Sequence, residues 1–351
     1  MKKIILIALT ISLVIFSCLV AFMLLNPEKN KIINPLIENV QEKVFPLKKY
    51  SFDNLSKTKF LANSIEIGER IDDDSDEYDM YIFYFYAQDP QDHLKTNKVS
   101  GLLTIPTLEG EYPVIVQLRG YVDREIYSTG VGTMRSAQEY AKAGFISLSP
   151  DFLGYGESEN PSDQSIEERF QTYSTVLSLL ASIKNLNKAL EKSYLKILAD
   201  TNSLGLWGHS NGGHIALSIL AITKKEIPTV LWAPVSKPFP YSILYFTDEF
   251  ADEGKALRKV VADFEKDYDV FNYSPTRYYD RITAPVQIHQ GTADDAVPVE
   301  WTNELVKKLD ELSIENEYFV YPGADHNLLG GWDLAVSRSI TFYKEKLELL
   351  D

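Results

Sequence analysis

Short apolar segments alternate with longer segments of helical pattern from residue 80 to the C-terminus, and this alternation most constrains the fold. Segments such as MYIFYFYA and YPVIVQLRG are rich in β-branched and aromatic residues, which is typical of strands. The predicted strands are Met80–Ala87, Lys98–Pro106, Tyr112–Gly120, Phe145–Asp151, Leu204–Gly208, Thr229–Ser236, Pro285–Gln290 and Glu317–Tyr321. A few strands followed by strict strand–helix alternation predict an α/β fold, with a mostly parallel eight-stranded sheet and helices on both faces.

Helical segments lie between and after these strands. The predicted helices are Met134–Gly144, Ser165–Lys192, Gly212–Thr223, Glu300–Leu312 and Trp332–Leu350. The segment from about residue 237 to 279 interrupts the alternation and is rich in Phe and Tyr. We expect it to form a small helical cap above the carboxyl edge of the sheet, where ligands bind in such folds. The folded domain is predicted over residues 64–351.

The N-terminus has the length and composition of a membrane-spanning helix. Lys2 and Lys3 precede the uncharged, mostly apolar run Ile4–Leu25, which as a helix would extend about 33 Å and cross a bilayer core. We therefore expect residues 1–25 to be an uncleaved membrane anchor. The alternatives are a cleaved signal peptide, whose apolar region is usually shorter, and a lipoprotein signal ending at Cys18.

The stretch after the apolar run is predicted to be a linker. Residues 26–63 are mixed in composition and contain Pro27, Pro35 and Pro46, so we expect a tether followed by a short helical lead-in. The lysines before the apolar run favour a cytoplasmic N-terminus, although Lys29 also follows the run. We expect a single-pass protein of the cell membrane with its folded domain outside the cytoplasm.

Composition excludes several classes of function. The formal net charge is −15, so no broad basic face is available for nucleic-acid phosphates. Cys18 is the only cysteine, which excludes an intrachain disulfide and a cysteine-rich metal site. The acidic stretch Ile71–Asp79, tested as a calcium loop from Asp72, has Glu77 and Phe83 where glycine and glutamate are needed. We expect no metal and no organic cofactor.

One serine stands between two glycines in the run Gly208-His209-Ser210-Asn211-Gly212, after a predicted strand and before a predicted helix. This G-x-S-x-G pattern is typical of a nucleophile elbow, a sharp turn that lifts the serine hydroxyl out of the sheet. The same turn points the Asn211 backbone N–H toward the place where an oxyanion would form. The alternative is an ordinary strand-to-helix turn.

A serine hydroxyl needs a base to become a nucleophile, and the base needs an acid to orient it. Three histidines lie downstream of Ser210. His214 lies on the following helix and His289 lies within a strand, so we expect both to be structural. His326 lies in a loop between a strand and a helix, from which its imidazole can reach the sheet edge. We predict that His326 is the general base.

The acid and the second oxyanion donor are expected on two other loops. In the run HQGTADDAVP, Asp294 and Asp295 follow a strand, and either carboxylate is placed to orient the base. The loop after the third strand is predicted to supply a second oxyanion donor, the Tyr121 backbone N–H. Arg119 has no assigned role beyond an ion pair near the pocket mouth. The segment Asp151–Ser158 is interpreted either as a pocket wall or as a plain turn.

These motifs together resemble the α/β-hydrolases and, among them, the catalytic domain of the prolyl oligopeptidase (S9) family. The matching stretches are GHSNGG around Ser210, SPTRYYDRITAPV (Ser274–Val286), GTADDAVP (Gly291–Pro298) and GADH (Gly323–His326). The resemblance covers about residue 81 to the C-terminus. It implies that Asp294, the first aspartate of GTADD, is the catalytic acid and that His326 is the catalytic histidine.

The sequence departs from the family pattern at three points. Members often have His-Gly where this chain has Arg119-Gly120, and often have histidine where it has Gln290. The large peptidases of the family carry a β-propeller, and the roughly 50 residues between the anchor and the first core strands leave no room for one. Strict prolyl specificity is therefore not implied.

The combined expectation is a membrane-anchored serine hydrolase with a Ser210–Asp294–His326 triad and the amides of Asn211 and Tyr121 as its oxyanion hole. The resemblance favours a serine peptidase that acts on small peptides through an acyl-enzyme. A carboxylesterase acting on small acyl esters is the alternative. The alternative of another class is a catalytically inactive surface-binding module.

Overall fold

The computed structural model describes residues 43–71, 75–248 and 250–349. The predicted anchor and Cys18 lie outside these residues, so the anchor stays a prediction. In the part of the chain that the structure describes, no helix is both long enough and apolar enough to cross a bilayer. The chain divides into two units, Met1–Phe45 and Pro46–Asp351. The second unit carries the sheet and the candidate site.

A nine-stranded sheet forms the centre of the second unit. Its strands are β1 (Glu66–Ile71), β2 (Tyr78–Gln88), β3 (Thr96–Pro106), β4 (Gly110–Leu118), β5 (Ile146–Pro150), β6 (Ile197–His209), β7 (Thr229–Trp232), β8 (Val286–Gly291) and β9 (Asn316–Tyr321). They lie in the order β1-β2-β3-β5-β4-β6-β7-β8-β9. The pairs β1–β2, β2–β3 and β3–β5 are antiparallel, and the other pairs are parallel. The predicted mostly parallel sheet is confirmed, but the predicted count of eight strands is wrong.

The strand missing from the prediction, β1, is an edge strand without an apolar face. Its sequence EIGERI is exposed except at Ile67 and Ile71, which are half-buried. Antiparallel pairing with β2 holds it in place, with a register shift between Ile67 and Arg70. Because backbone hydrogen bonds fix this strand and burial does not, a search for alternating apolar residues could not find it.

Helices cover both faces of the sheet. In chain order they are α1 (Phe52–Leu55), α2 (Met134–Lys142), α3 (Ser165–Ser182), α4 (Leu186–Lys192), α5 (Asn211–Thr223), α6 (Tyr241–Leu244), α7 (Lys255–Glu265), α8 (Val299–Glu311) and α9 (Trp332–Lys346). All the helices predicted from the sequence are present. A 3-10 turn at Ile183–Asn185 divides the predicted helix Ser165–Lys192 into α3 and α4.

The burial of β4 shows how the two faces are filled. Val114 and Val116 belong to a core that also contains Phe170 of α3 and Leu217 of α5, whereas Ile115 belongs to a second core shared with α2 and α9. Because alternate residues of a strand point to opposite faces, the two cores lie on opposite sides of the sheet. All three β4 side chains are fully buried, as expected for a central strand of a covered sheet.

Two segments outside the regular alternation are also built into the first core. Residues 46–55, in the predicted lead-in, form a 3-10 turn and α1 and bury apolar side chains there. The predicted cap segment, 237–279, contains α6, α7 and several 3-10 turns. The rings of its Phe239 and Tyr273 contact Phe170 of α3, with centroids 5.5 and 4.8 Å apart. Part of this segment therefore packs directly on the helix layer.

Candidate active site

Strand β6 passes into α5 through a sharp turn at Ser210. Ser210 has φ 57° and ψ −119°, a conformation that L-residues rarely adopt and that persists only where the surroundings hold it. Its amide donates a hydrogen bond to the Trp232 carbonyl, and its carbonyl accepts one from the Val235 amide. The turn is therefore fixed to the end of β7. This is the strained turn that the G-x-S-x-G pattern predicts.

The two glycines of the motif stand where no side chain fits. A Cβ at Gly208 would lie 2.5 Å from the carbonyl oxygen of Gly212, and a Cβ at Gly212 would lie 1.8 Å from that of Leu118. Both contacts are with backbone, so no change of rotamer can relieve them. The glycines let β6, α5 and the end of β4 approach closely enough to form the turn.

The loop after β4 reaches Ser210 from the neighbouring strand. A Cβ at Gly120 would lie 3.0 Å from Ser210 Cβ and 3.6 Å from its Oγ. Tyr121 follows in this loop, with 69% of the residue exposed, and its hydroxyl donates to Asp123. The ring of Tyr121 therefore lies at the surface, while the backbone beside it borders the serine.

Two cavities border this region. The arginine cavity has a volume of about 220 Å³, and its lining includes Arg119, Tyr121, Glu168, Arg169 and Asn211. The tryptophan cavity has a volume of about 530 Å³, and its lining includes Trp207, His209, Trp232, Asn327 and Trp332. Both residues predicted to donate to an oxyanion, Tyr121 and Asn211, thus border the arginine cavity.

Asp294 and His326 are in direct contact. Nδ1 of His326 lies 2.9 Å from Oδ2 and 3.0 Å from Oδ1 of Asp294, whose side chain is fully buried. The amides of Ala296 and Val297 donate to the same carboxylate at 3.0 and 2.8 Å. Burial raises the pKa of Asp294, but the His326 contact, the Val297 amide and Gln290 outweigh burial and leave the pKa lowered. An ionised Asp294 requires a proton on Nδ1 of His326, which leaves Nε2 as an acceptor.

The structure distinguishes the two candidate acids. Asp295 is exposed, whereas the Asp294 side chain is buried against His326. Gln290 also donates from Nε2 to Asp294 at 2.8 Å, and its Oε1 accepts from Thr302. Gln290 has no role in the site predicted from the sequence, although its position at the end of β8, directly before the GTADD run, is a signal that could identify it.

His209 links the His326 loop to the serine turn. Its Nε2 lies 2.9 Å from the His326 carbonyl oxygen, so Nε2 carries the proton. The two imidazole rings have centroids 4.7 Å apart. Burial and then the charge of His326 lower the pKa of His209 to about 4, which keeps it neutral at pH 7. The structure therefore holds His326 beside the residue that precedes Ser210.

The other two downstream histidines have structural partners. His214 is buried on α5, with Nδ1 3.2 Å from the Val235 carbonyl oxygen. His289 is buried in β8, with hydrogen bonds to the Tyr321 hydroxyl and to Gln287. Both therefore have the structural surroundings that their positions on a helix and within a strand predict. Among the described residues, no group of three or more His, Cys, Asp or Glu side chains is placed to hold a metal ion.

Arg119 ties together the loops around the arginine cavity. Its guanidinium donates to the carbonyl oxygens of Gly120 and Asp151, at 2.9 Å each, and lies 4.0 Å from the centroid of the Tyr155 ring. Tyr155 and Phe152 also line this cavity, so the segment after β5 forms part of its wall. The ion pair suggested for Arg119 is replaced by bonds to backbone carbonyls.

Known proteins match this chain in sequence. The profile of the prolyl oligopeptidase family matches residues 135–348. The uncharacterized peptidase YtmA of Bacillus subtilis is 24% identical over 234 residues, which are 65% of this chain and 81% of YtmA. The dipeptidyl peptidase family member 6 of Caenorhabditis elegans is 26% identical over 148 residues, which are 40% of this chain. That match spans 20% of the C. elegans protein, and two further curated relatives are covered over 16% and 19% of their lengths.

Solved structures match the fold. The acetyl xylan esterase 1 of Thermoanaerobacterium sp. JW/SL YS485 superposes with a TM-score of 0.53 at 17% identity, covering 85% of this chain and 93% of the esterase. A puromycin-hydrolyzing peptidase of Mycobacterium tuberculosis superposes with a TM-score of 0.51 at 16% identity, covering 75% of this chain and 39% of the peptidase. At such identities the likeness is one of fold. The fold is that of the α/β-hydrolases, as the resemblance implied.

Proposed function

This chain belongs to the prolyl oligopeptidase family, and from that premise we propose that it is a serine hydrolase that cleaves small peptides through an acyl-enzyme. Ser210 is the nucleophile, His326 is the general base, and Asp294 is the acid that orients the base. The observation that carries the proposal is the hydrogen bond from His326 to the buried Asp294 carboxylate, in a loop held beside the strained Ser210 turn.

Each group has a defined proton state in this mechanism. Because Asp294 accepts from Nδ1, the Nε2 lone pair of His326 is free to take the Ser210 proton as Oγ attacks the substrate carbonyl. The imidazolium then protonates the leaving group, and the acyl group stays on Oγ. Water, deprotonated by His326, next attacks the acyl-enzyme and releases the acid. Asp294 stabilises the imidazolium throughout without taking its proton.

The oxyanion is assigned to two backbone amides. Asn211 is the first residue of α5, so its N–H lies at the positive end of the helix dipole. Tyr121 follows Gly120, whose backbone approaches Ser210. Each donor of this kind typically contributes about 10²–10³ in rate. Both residues border the arginine cavity, which supports binding of the substrate there.

Family membership supports a peptidase, and the carboxylesterase alternative stays open because the two activities occur on units of similar extent. The fold match covers 93% of the acetyl xylan esterase, and the sequence match covers 81% of the peptidase YtmA. The proposal also keeps the predicted anchor at residues 1–25 and a catalytic domain outside the cytoplasm. Protection of that domain from added protease in intact cells would contradict the location.

The test uses the full-length chain in mild detergent. We expect labelling by a fluorophosphonate probe, together with hydrolysis of p-nitrophenyl esters and aminoacyl p-nitroanilides. Ser210→Ala should abolish all three, whereas Ser337→Ala, an exposed serine on α9, should retain them. The ratio of kcat/KM for anilides to that for esters decides between peptidase and esterase. A wild-type chain that neither reacts with the probe nor hydrolyses any substrate would be the inactive binding module.

A further inference from the structure

The arginine cavity contains two cations and no carboxylate free to neutralise them. Among the residues that the structure describes, the side chain of Arg169 makes no hydrogen bond or ion pair, and the Nε atoms of Arg119 and Arg169 are both buried without a partner. Glu168, the acidic residue of the described lining, is paired instead with Arg124. The cavity thus carries positive charge in a chain whose formal net charge is −15.

The buried carboxylate near Arg119, that of Asp151, already accepts hydrogen bonds from three hydroxyls. Asp151 accepts hydrogen bonds from the hydroxyls of Ser100, Tyr127 and Thr129, at 2.6, 2.6 and 2.8 Å. Burial raises the pKa of Asp151 against the opposing effect of these hydroxyls and of Arg119. The guanidinium of Arg119 bonds to the Asp151 backbone carbonyl and forms no ion pair with its carboxylate. Asp151 therefore interacts with Arg119 at a distance, and it is not a direct partner of Arg169.

Arg169 is the more available of the two cations. Its guanidinium carbon lies 6.0 Å from the centroid of the Phe239 ring. Burial lowers its pKa, and the opposing influence comes from the Tyr173 hydroxyl and not from a carboxylate. Arginine keeps its charge in proteins, and a cation removed from water without a partner is costly. The planar guanidinium fits a carboxylate with two parallel hydrogen bonds.

The two cavities are lined by different sequence neighbours of the reacting residues. His326 protonates the leaving group, so the leaving group must face the His326 loop. The tryptophan cavity is lined by His209 and Asn327, the neighbours of the serine and of His326, whereas the arginine cavity is lined by Asn211. This difference in lining favours the arginine cavity for the acyl part of the substrate.

We propose that the arginine cavity binds a carboxylate carried by the acyl part of the substrate, with the Arg169 guanidinium as its ligand. This inference rests on the proposed function, because the roles of Ser210 and His326 decide which cavity is expected to receive the acyl part of the substrate. Two sources share the chemistry: the half-ester of a dicarboxylic acid, and a peptide whose acidic residue supplies the scissile carbonyl.

The first test compares matched esters on the full-length chain. One substrate is the p-nitrophenyl ester of adipic acid with its second carboxyl free, and the other carries a primary amide in place of that carboxyl. A charge-assisted hydrogen-bond pair predicts a kcat/KM about 10- to 100-fold higher for the anionic ester. Glutamyl and glutaminyl p-nitroanilides form the corresponding peptide pair. The pair with the larger ratio identifies the source.

Two variants locate the anion. Arg169→Met should bring the anionic-to-neutral ratio close to one, because it keeps the length of the side chain and removes its charge. Arg258→Met is the matched control, since Arg258 is an exposed arginine on α7 and lies in the lining of neither cavity, and the ratio should persist. A wild-type ratio of one, a ratio that persists in Arg169→Met, or a ratio lost only in Arg258→Met would overturn the inference.

A measurement on the wild-type chain covers the case in which Arg169→Met does not fold. Adipate should inhibit the wild-type chain at least tenfold more strongly than adipamide, and equal inhibition would overturn the inference.

Failure of the anion site and failure of the proposed function give different results. If the chain reacts with the fluorophosphonate probe and hydrolyses both esters equally, the anion site is wrong and the hydrolase stands. If it does neither, the proposed function is itself wrong.

Discussion

Replacement of Asp294 by asparagine tests the histidine tautomer on which the proposed reaction depends. Oδ1 of Asp294 accepts from the amides of Ala296 and Val297, and Oδ2 lies 2.8 Å from Gln290 Nε2 and 2.9 Å from His326 Nδ1. The two backbone amides can only donate, so an asparagine must keep its oxygen toward them. Its NH₂ group then takes the place of Oδ2 and faces two other donors.

His326 can adapt to this change only by moving its proton from Nδ1 to Nε2. Nε2 then donates and cannot accept the serine proton, a defect that costs roughly 10⁴ in kcat in serine triads, or about 5.5 kcal/mol at about 1.36 kcal/mol per tenfold. Gln290 can turn its amide only by losing the bonds from its Nε2 to the carbonyl oxygens of Gly291 and Val297, which cannot donate. We therefore also expect Asp294→Asn to lower the free energy of unfolding by about 1–3 kcal/mol.

The assay is steady-state hydrolysis of an activated p-nitrophenyl ester, combined with urea unfolding of the same samples. Asp295→Asn is the matched control, because Asp295 is adjacent in sequence but exposed, and we expect its kcat to stay within about twofold of the wild type. A kcat for Asp294→Asn within tenfold of the wild type would refute the tautomer argument. Equal losses in the two variants would refute the assignment of the acid.

Gly212→Ala should remove folded protein or cost more than about 3 kcal/mol, because its Cβ would lie 1.8 Å from the Leu118 carbonyl oxygen; a thermal unfolding midpoint near that of the wild type would contradict the close approach. Gly120→Ala should lower kcat at least about tenfold, because its Cβ would lie 3.0 Å from Ser210 Cβ, and it should reduce stability less than Gly212→Ala does. Steady-state kinetics and thermal unfolding of the same samples check both expectations. Burial lowers the pKa of His289 to about 3, so between about pH 6.5 and that value the unfolded chain binds a proton that the folded chain does not. The stability contributed by the neutral imidazole is therefore complete above pH 6.5 and is lost as the pH falls. His289→Gln should make the urea midpoint depend less on pH, between pH 7 and 5, than it does in the wild type. Equal slopes of urea midpoint against pH in the two proteins would count against this.

The serine turn could be predicted from the sequence because local geometry determines it. Gly208 and Gly212 are required by contacts within a few residues and with the adjacent strand, so the G-x-S-x-G pattern carries its own structural explanation. The choice between Asp294 and Asp295 could not be made in this way. Both follow the same strand, and only the packed fold shows which carboxylate is buried against His326.

The prediction of the sheet failed where strands are held by pairing and not by burial. Strand β1 is an exposed edge, and β6 begins at Ile197, ahead of the predicted Leu204. The extra part of β6 pairs with the start of β4 before a register shift between Pro113 and Val114. Leu198 and Asn202 of this part are exposed and most of its other residues are half-buried, so apolar periodicity identifies only the buried half of the strand.

The charge of the arginine cavity illustrates a property that no local pattern contains. Glu168 and Arg169 are adjacent on α3, and as a sequence they suggest a solvated pair of opposite charges. Successive helical residues point in directions about 100° apart, so the two side chains meet different neighbours. Glu168 reaches Arg124, which follows β4, and Arg169 turns toward Phe239, which follows β7. The motif therefore predicts the chemistry proposed for the site, whereas the proposed substrate preference depends on which distant residues neutralise each charge.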